Sequence, residues 1–338
     1  MAGYYYGQLS KEKKAVYDML AAGCDALAAV IRVPDLGTEV LSDIYLRMKL
    51  DLPLLFFVTG FHYRKMPGAD HVEVLPDYLF DRGKVKMHRQ AVTARLERLA
   101  RPLKGKSDRE KELAIHDFIL ENVTYDKLKK QYSHEIIGPL QQGVGVCEGI
   151  AKTVKLLCGC LGIECVIAVS EAAPDRGIRY RHAWNVLKMG GNWYHLDATF
   201  DNSLGRYGTK RFDYFNLDDK RIFKDPQKLV YPVPACTDYD RFYYKEQRLS
   251  LTKAEEVYKR LRAVVRKKQP YFVFHWRGGA LNREILRELY GEACRAAAEK
   301  GKFARLSVNA AQAVLEVSIL DRMEGEEICA EEANEGEL

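Results

Sequence analysis

The sequence lacks any hydrophobic stretch long enough to cross a membrane. Its longest apolar run is Leu52 to Val58, whereas a membrane-spanning helix needs about 20 apolar residues. The N-terminus also lacks the basic run followed by an apolar segment that marks a secretory signal. The sequence therefore predicts a cytoplasmic protein with no membrane partner if residue 1 is its native start, and export if a leader was trimmed.

Motifs for cofactors and metals are missing as well. No glycine-rich phosphate loop follows a predicted strand, and the Gly-Val-Gly at 143–145 is too short to form one. Cys158, Cys160 and Cys165 lie close together, but no further cysteine or histidine pair follows at the spacing of zinc ligands. We therefore expect no cofactor and no metal, and we expect the eight cysteines to be reduced and mostly buried.

The charge of the chain is unevenly distributed. The formal net charge is +6, but seven glutamates between Glu324 and Glu337 give the last fifteen residues −7 and leave +13 on the remainder. One interpretation is a solvated acidic tail on a basic body. The others are a tail that folds over a basic groove, or a body that binds nucleic acid. No aromatic and basic recognition motif is present, so we expect no nucleic-acid partner.

A cysteine stands at the start of a predicted helix. Gly143 and Gly145 interrupt the chain just before Cys147. Apolar residues then recur at helical spacing, at Ile150, Val154, Leu157 and Leu161. The free N–H groups and the dipole at a helix N-terminus favour an anion there. The pattern thus predicts a thiol whose pKa is lowered and whose nucleophilicity is raised.

A predicted β-hairpin follows this helix and carries an imidazole and a carboxylate. Its strands are His182 to Met189 and Asn192 to Phe200, with Gly190-Gly191 as the turn. A turn at Gly190-Gly191 pairs residues whose numbers sum to 381, and a turn one residue earlier gives 379. Both registers leave His182 and Asp197 on one face, roughly 5–8 Å apart at Cβ. A thiol, an imidazole and a carboxylate are the nucleophile, base and orienting group of a catalytic triad.

These motifs together resemble the transglutaminase-like superfamily of papain-type thiol enzymes. The matching segments are Gly145 to Gly149, His182 to Asn185 and Trp193 to Thr199. Upstream, Ala114 to Phe118 and Val123 to Asp126 resemble the helix and the Tyr-Asp pair that precede the core in bacterial members. The resemblance covers about residues 107–220, and it rests on three motifs that occur in order at plausible spacing.

The resemblance implies roles for individual residues. Cys147 would be the nucleophile, His182 the base and Asp197 the orienting carboxylate. His195 shares the strand face of Asp197, but two residues from the carboxylate on its own strand it is a poorer base than His182. The family often stabilises the oxyanion with an upstream Trp, Tyr or Gln, and no Trp precedes Cys147. The oxyanion candidates here are Gln141, Gln142, Tyr125 and Tyr132. The candidates for lining the cleft are Trp184, Trp193 and His134.

The predicted fold class is α+β, with a papain- and transglutaminase-like core in which the cysteine helix packs on an antiparallel sheet bearing the histidine and the aspartate. We predict an N-terminal α+β accessory region at 1–106 and a catalytic core at 107–234. A C-terminal α+β accessory domain at 235–322 and an acidic tail at 323–338 would follow. Among local elements, we expect a helix capped by Ser10 that runs to Ile31, short strands at Phe56–Val58 and His71–Val74, and a closing strand at Phe212–Asn216.

The expected function is thiol-dependent acyl transfer on a peptide or side-chain amide. Hydrolysis by a cysteine protease or amidase is slightly favoured over transamidation, because a basic chain with no export signal fits intracellular peptide hydrolysis. The expected partner is a peptide or protein substrate. The alternative is a catalytically silent binding or scaffold protein that retains the fold, and a zinc protein is a third, weaker possibility.

Overall fold

The structure is a computed structural model, and it describes residues 3–172, 181–205, 209–223 and 228–321. The predicted acidic tail at 323–338 lies outside the described residues. All seven cysteines in the described part are free thiols, and Cys160 is exposed rather than buried. None of the described helices has the length and apolar character needed to cross a membrane.

Helices and strands alternate along most of the described chain. The helices are α1 (Tyr4–Gly7), α2 (Lys11–Asp25), α3 (Thr38–Asp51), α4 (Arg82–Ala100), α5 (Asp108–Asn122), α6 (Cys147–Cys160), α7 (Ala198–Leu204), α8 (Asp219–Ile222), α9 (Tyr243–Glu246), α10 (Ala254–Arg266) and α11 (Arg283–Ala298). The strands are β1 (Ile31–Pro34), β2 (Val58–Lys65), β3 (His71–Tyr78), β4 (Thr124–Tyr125), β5 (Val144–Gly145), β6 (Cys165–Val169), β7 (Ala183–Met189), β8 (Asn192–Leu196), β9 (Phe215–Leu217), β10 (Ser250–Leu251), β11 (Tyr271–Trp276), β12 (Phe303–Asn309) and β13 (Val314–Leu320). The mixture is that of an α+β protein, as the sequence predicts.

Local sequence signals account for where several helices begin. Ser10 caps α2 by accepting a hydrogen bond from the backbone N–H of Lys13. Ser107 and Glu110 form a reciprocal capping box at the start of α5. The predicted run of helix to Ile31 is wrong, however. α2 ends at Asp25, and Ile31 begins β1, because β1 finds a partner in the distant strand β3.

The strand bounds need further correction near the N-terminus and around the core. Val58 begins a strand that continues to Lys65, so the apolar Phe56 and Phe57 precede it as buried turn residues. The closing strand of the core begins at Phe215 rather than Phe212. In both cases the apolar residues mark burial correctly, while backbone pairing with a neighbouring strand decides where the strand begins.

An antiparallel sheet with strand order β6-β7-β8-β9 forms the centre of the predicted core, and α6 packs against β7. β7 and β8 pair with Asn185 opposite Leu196, which is the register set by a turn at Gly190-Gly191. Both turn glycines have positive φ, a conformation that residues with a Cβ rarely adopt. The strand predicted to reach Phe200 ends at Leu196, because Asp197 caps α7 instead.

The flanking regions pack on this core in different ways. The N-terminal sheet has strand order β1-β3-β2. Val92 of α4 and Leu157 of α6 belong to one hydrophobic cluster, so the N-terminal region and the core share their interior. The C-terminal sheet has strand order β10-β11-β13-β12 and builds a separate cluster with α10 and α11. The domain boundaries at 106, 234 and 322 stay a prediction.

Candidate active site

Cys147 is the first residue of α6, with Val146 as its N-cap. The N–H of Val146 donates to the carbonyl oxygen of Ser133 at 3.0 Å. Gly149 brings the same carbonyl close, since a Cβ at that position would lie 2.2 Å from the Ser133 oxygen. The turn at 131–134 therefore rests directly on the first turn of α6 and fixes the position of the half-buried thiol.

His182 and Asp197 meet across the β7–β8 hairpin. The Nε2 atom of His182 lies 2.5 Å from the Oδ2 atom of Asp197, whose side chain is almost completely buried. The second carboxylate oxygen, Oδ1, accepts hydrogen bonds from the backbone N–H groups of Thr199 and Phe200 at 3.0 and 3.1 Å. The carboxylate is thus held by the start of α7 and cannot rotate away from the imidazole without breaking the cap.

The imidazole of His182 also reaches the thiol. Burial by itself lowers the pKa of His182. The charge and hydrogen bond of Asp197, followed by the hydrogen bond and charge of Cys147, raise that pKa to about 10. Since Nε2 faces Asp197, Nδ1 is the ring nitrogen left for the sulfur. The structure brings Cys147, His182 and Asp197 into one chain of contacts, in which His182 holds its proton at neutral pH.

Two aromatic rings hold the imidazole plane. Trp184 and Phe200 stack on His182, with ring centroids 5.7 and 4.5 Å away and planes within 20° of parallel. The backbone is fixed by Ser170, whose hydroxyl accepts from the N–H of His182 at 3.2 Å and whose N–H donates to the His182 carbonyl at 2.9 Å. His182 therefore has little freedom to leave the line between Cys147 and Asp197.

Residues 97–198 match the model of the transglutaminase-like superfamily, a range that contains all three of these residues. The core of this chain is transglutaminase-like.

Similar solved structures include a transglutaminase, at 14% identity and a TM-score of 0.29, with 42% of this chain and 44% of that chain covered. A protein proposed to be a cysteine protease, from Cytophaga hutchinsonii, has 20% identity and a TM-score of 0.27, with 42% and 62% covered. A protein proposed to be a protease, from Parabacteroides distasonis, has 16% identity and a TM-score of 0.25, with 40% and 35% covered.

The alignments thus span less than two thirds of each of these solved chains. No curated protein matches this chain.

The four oxyanion candidates occupy different places around the transglutaminase-like core. Tyr125 lies in β4, which pairs with β5 so that Tyr125 stands opposite Gly145. Burial and the nearby charges of Cys147, Asp126 and Asp197 raise the pKa of Tyr125 to about 12, so its hydroxyl stays protonated beside the thiol.

The other three candidates have different surroundings. Gln141 is turned towards α4, where its Oε1 atom lies 2.8 Å from Nδ1 of His88. Gln142 is exposed. The ring of Tyr132 packs under the ammonium group of Lys130. Tyr125 is therefore the candidate whose surroundings include the thiol.

His134 connects to the residue that follows the thiol rather than to the imidazole. Its Nδ1 atom lies 3.3 Å from Oε2 of Glu148. Lys152, one turn further along α6, is completely buried and contacts Glu148 at 2.7 Å and Glu135 at 2.9 Å. Lys49 of α3 completes the cluster, 3.0 Å from Glu135. Burial favours a raised pKa for Glu148, but the charge of Lys152 and the hydrogen bond of His134 hold it well below its usual range.

This balanced cluster of two cations and two carboxylates supports the first turn of α6 from beneath. Sequence reasoning missed its buried members. The available signal was a glutamate and a lysine four residues apart, Glu148 and Lys152, in a mostly apolar helix.

Trp184 and Trp193, both expected to line the cleft, lie at different ends of the hairpin. Trp184 stacks on His182 as described. Trp193 lies opposite Lys188 near the turn, and the ammonium group of Lys188 packs over its ring. Four residues of strand separate Trp193 from Asp197, which corresponds to about 13 Å. Of these two tryptophans, therefore, Trp184 is the one in contact with the imidazole.

His195 belongs to a second buried chain of hydrogen bonds, behind Trp184. The indole N–H of Trp184 donates to Nδ1 of His195 at 2.9 Å, and Nε2 of His195 lies 2.8 Å from Oδ1 of Asp219. The other oxygen of Asp219 accepts from the backbone N–H of Cys236 at 3.0 Å. With both nitrogens engaged and the ring completely buried, His195 has no free atom with which to compete with His182 as a base.

The side chains of His195, Asp219 and Cys236 place possible metal-ligand atoms within 4.8 Å of one another. The hydrogen bonds do not fit a metal. An indole N–H can only donate a hydrogen bond, so Nδ1 of His195 must be the acceptor. Nε2 must then carry the ring proton and donate a hydrogen bond to Asp219. A metal would need the Nε2 lone pair. Burial and the charges of Asp219 and Asp218 also raise the pKa of the Cys236 thiol, which disfavours the thiolate that a metal requires.

Proposed function

We propose that the protein catalyses thiol-dependent acyl transfer, with Cys147 as the nucleophile, His182 as the acid–base group and Asp197 as the orienting carboxylate. The observation that carries this proposal is the position of His182. One side of its ring reaches the thiol, and the other side contacts the buried carboxylate of Asp197, which also caps α7. The pKa of His182 is raised to about 10. A protonated imidazole beside a sulfur at a helix N-terminus is the arrangement that favours a thiolate.

The first half of the reaction forms a thioester. The sulfur of Cys147 attacks the carbonyl carbon of an amide, and the carbonyl oxygen becomes an oxyanion. The first backbone N–H groups of a helix have no intrahelical partner, so the N–H of Cys147 is one candidate for stabilising that oxyanion. The protonated hydroxyl of Tyr125, near the thiol, is the other candidate. The protonated His182 then gives its proton to the leaving nitrogen as the carbon–nitrogen bond breaks, and an amine departs.

The second half resolves the thioester. Neutral His182 takes a proton from water, the resulting oxygen attacks the thioester carbon, and a carboxylic acid leaves as the carbon–sulfur bond breaks. The thiolate and the protonated imidazole are restored. If an amine attacks in place of water, the product is a new amide. We propose hydrolysis as the main outcome, because water needs no binding site of its own whereas an acceptor amine does.

A labelling experiment tests the nucleophile. The protein is treated with iodoacetamide at about pH 6, where ordinary thiols are protonated, and the modified cysteine is identified by mass spectrometry. We expect label at Cys147, loss of that label in Cys147→Ala, and a strong decrease in His182→Ala. Cys160→Ser is the matched control, because Cys160 is the exposed last residue of the same helix. Label that never maps to Cys147 contradicts the proposal.

A trapping experiment then separates the functions. Peptide amides and a dansylated primary amine are supplied together, and the acyl-enzyme and products are followed by mass spectrometry. A thioester on Cys147 with a free acid as product supports hydrolysis, and incorporation of the amine supports transamidation. Peptide binding that persists in Cys147→Ser, with no thioester in the wild type, would instead support the silent binding protein.

A further inference from the structure

The short helix α7 is fastened to α5 by a buried polar pair that the proposed reaction does not use. His116 of α5 and Asp201 of α7 are both completely buried, and Nε2 of His116 lies 3.0 Å from Oδ2 of Asp201. Asn202 adds a second tie, since its side-chain amide donates to the carbonyl oxygens of Ile119 and Val123 at the end of α5. Because a helix of seven residues has little stability of its own, such contacts decide where α7 lies.

The buried pair is linked to the orienting carboxylate of the triad through one backbone segment. Oδ1 of Asp201 accepts a hydrogen bond from the N–H of Tyr214 at 3.0 Å. The carbonyl oxygen of Tyr214 in turn accepts from the N–H of Asp197 at 2.9 Å. Three successive hydrogen bonds therefore connect His116 to the residue that orients His182.

Phe200 connects the same segment to His182 by packing. The centroid of its ring lies 4.9 Å from that of Tyr214 and 4.5 Å from that of the His182 imidazole. The backbone N–H of Phe200 also donates to Oδ1 of Asp197 at 3.1 Å. A displacement of Tyr214 or of α7 would therefore move both the carboxylate and the aromatic ring that hold the imidazole.

Packing alone does not require a polar pair at this position. The ring of His116 contacts Phe212 and Phe215, with both centroids 4.9 Å away, so an apolar side chain would suit these neighbours. Asp201, however, supplies the acceptor for the N–H of Tyr214, and a buried N–H without an acceptor is destabilising. Burial lowers the pKa of His116 to about 3, so its ring is uncharged at neutral pH and serves as a hydrogen-bond partner rather than as a second acid–base group.

We propose that His116 and Asp201 are positioning residues that hold the orienting carboxylate of the triad in line with its imidazole. The inference rests on the proposed function, because it names residues that act through the proposed triad. A purely structural role predicts lower stability of the variants and an unchanged triad. The positioning role predicts, in addition, a changed hydrogen bond between His182 and Asp197.

Proton NMR of the full chain reports that hydrogen bond directly. The donor and acceptor atoms of His182 and Asp197 are 2.5 Å apart, and a proton in so short a charge-assisted bond resonates far downfield. We expect this signal in the wild type, and its loss in His182→Gln assigns it. The signal should be lost or shifted in His116→Phe, which removes the bond to Asp201 but keeps a ring of similar size, and in Asp201→Ala.

Two further variants separate positioning from stability. In Asp201→Asn, the amide can accept from the N–H of Tyr214 and donate to Nε2 of neutral His116, so the signal should keep its wild-type position. Leu20→Ala is the stability control, because Leu20 is buried in the same hydrophobic cluster as Phe215 but lies on α2. It should lower the urea midpoint and leave the signal unchanged.

Iodoacetamide labelling of Cys147 at about pH 6 measures the consequence for the thiol. We expect the labelling rate to fall by about tenfold in His116→Phe and in Asp201→Ala, the effect of a thiol pKa higher by about one. Asp201→Asn and Leu20→Ala should label at the wild-type rate. The NMR comparison does not depend on any reaction of Cys147. Absence of label in the wild type would therefore contradict the proposed function, whereas an unchanged NMR signal in His116→Phe would contradict positioning.

The inference is overturned if His116→Phe and Asp201→Ala lose stability but keep the wild-type signal and labelling rate, since the pair then has only a packing role. It is also overturned if Leu20→Ala shifts the signal as much, because general loss of stability would then be the cause. Equal impairment of Asp201→Asn and Asp201→Ala would overturn it too, because charge rather than hydrogen bonding would be responsible. If Asp201→Ala is too unstable to purify, His116→Phe decides, since it keeps the acceptor for Tyr214.

Discussion

Asp197 holds His182 with one carboxylate oxygen and caps helix α7 with the other. The orientation of the imidazole therefore depends on a local element of secondary structure. Any shift in the start of α7 moves the carboxylate and the ring together.

Two substitutions of Asp197 distinguish the effect of its negative charge from the effect of its helix cap. In Asp197→Asn, the amide oxygen can still cap α7, but the charge that stabilises protonated His182 is lost, so the free energy of unfolding should fall and turnover should decrease by about 10³–10⁴-fold. In Asp197→Ala, turnover should fall similarly and the lost cap should cost about 1 kcal/mol more. Urea unfolding and thioester formation measure the two effects. Equal stability of the two variants would contradict the capping role.

The pKa of His182 predicts how stability depends on pH. The folded-state pKa is raised from 6.5 to about 10, so the protonated ring stabilises the folded protein fully below about pH 6.5 and less as pH rises through about 10. The unfolding free energy of the wild type minus that of His182→Gln should therefore decrease on the order of a few kcal/mol over that interval. Urea unfolding of both proteins across this range measures it. A difference that does not vary with pH would contradict the prediction.

The hairpin register that brings His182 and Asp197 together and the helix that begins at Cys147 follow from local sequence. The contacts that surround these residues do not. The Gly190-Gly191 turn fixes the pairing that places Asp197 diagonal to His182, and the apolar stripe after Cys147 predicts α6. The sequence also contains a signal for the end of β8, because an aspartate at position 197 followed by Ala-Thr-Phe is typical of a helix N-cap. The prediction of a strand up to Phe200 did not use this signal. Asp219 and Cys236, in contrast, reach His195 only through tertiary packing. No spacing in the sequence brings them together.

The hydrogen bond from Trp184 fixes the tautomer of His195. Nitrogen NMR should show His195 neutral, with its proton on Nε2, and addition of zinc should leave its signals unchanged. In Trp184→Phe the donor is lost, and a population with the proton on Nδ1 should appear. The exposed His62 serves as the internal reference. A proton on Nδ1 in the wild type, or one zinc ion per purified chain, would show that the hydrogen-bond assignment is wrong.

Buried Arg211 ties the C-terminal sheet to the core. Its guanidinium contacts both carboxylate oxygens of Asp213, at 3.0 and 2.6 Å, and reaches Glu316 of β13 at 3.1 Å. Arg211→Ala leaves two buried carboxylates without a cationic partner and should reduce the free energy of unfolding by about 3–5 kcal/mol. Arg262→Ala, which breaks a solvent-exposed pair with Glu299, should cost at most about 1 kcal/mol. Thermal unfolding measures the loss of stability in both variants. Similar losses would contradict the conclusion that the buried ion pairs of Arg211 stabilise the contact between the C-terminal sheet and the core.

Gly149 and Gly159 lie in the same helix, and we expect replacement by alanine to have opposite effects on stability at the two positions. A Cβ at Gly149 would lie 2.2 Å from the Ser133 carbonyl oxygen, whereas no atom of the described residues lies within 4 Å of a Cβ at Gly159. Gly159→Ala should stabilise the protein by up to about 1 kcal/mol, since alanine favours a helix over glycine. Gly149→Ala should push the 131–134 turn away from α6, destabilise the protein and slow iodoacetamide labelling of Cys147. If Gly149→Ala labels at the wild-type rate, the thiol does not depend on that turn, and the contact between Ser133 and α6 has only a packing role.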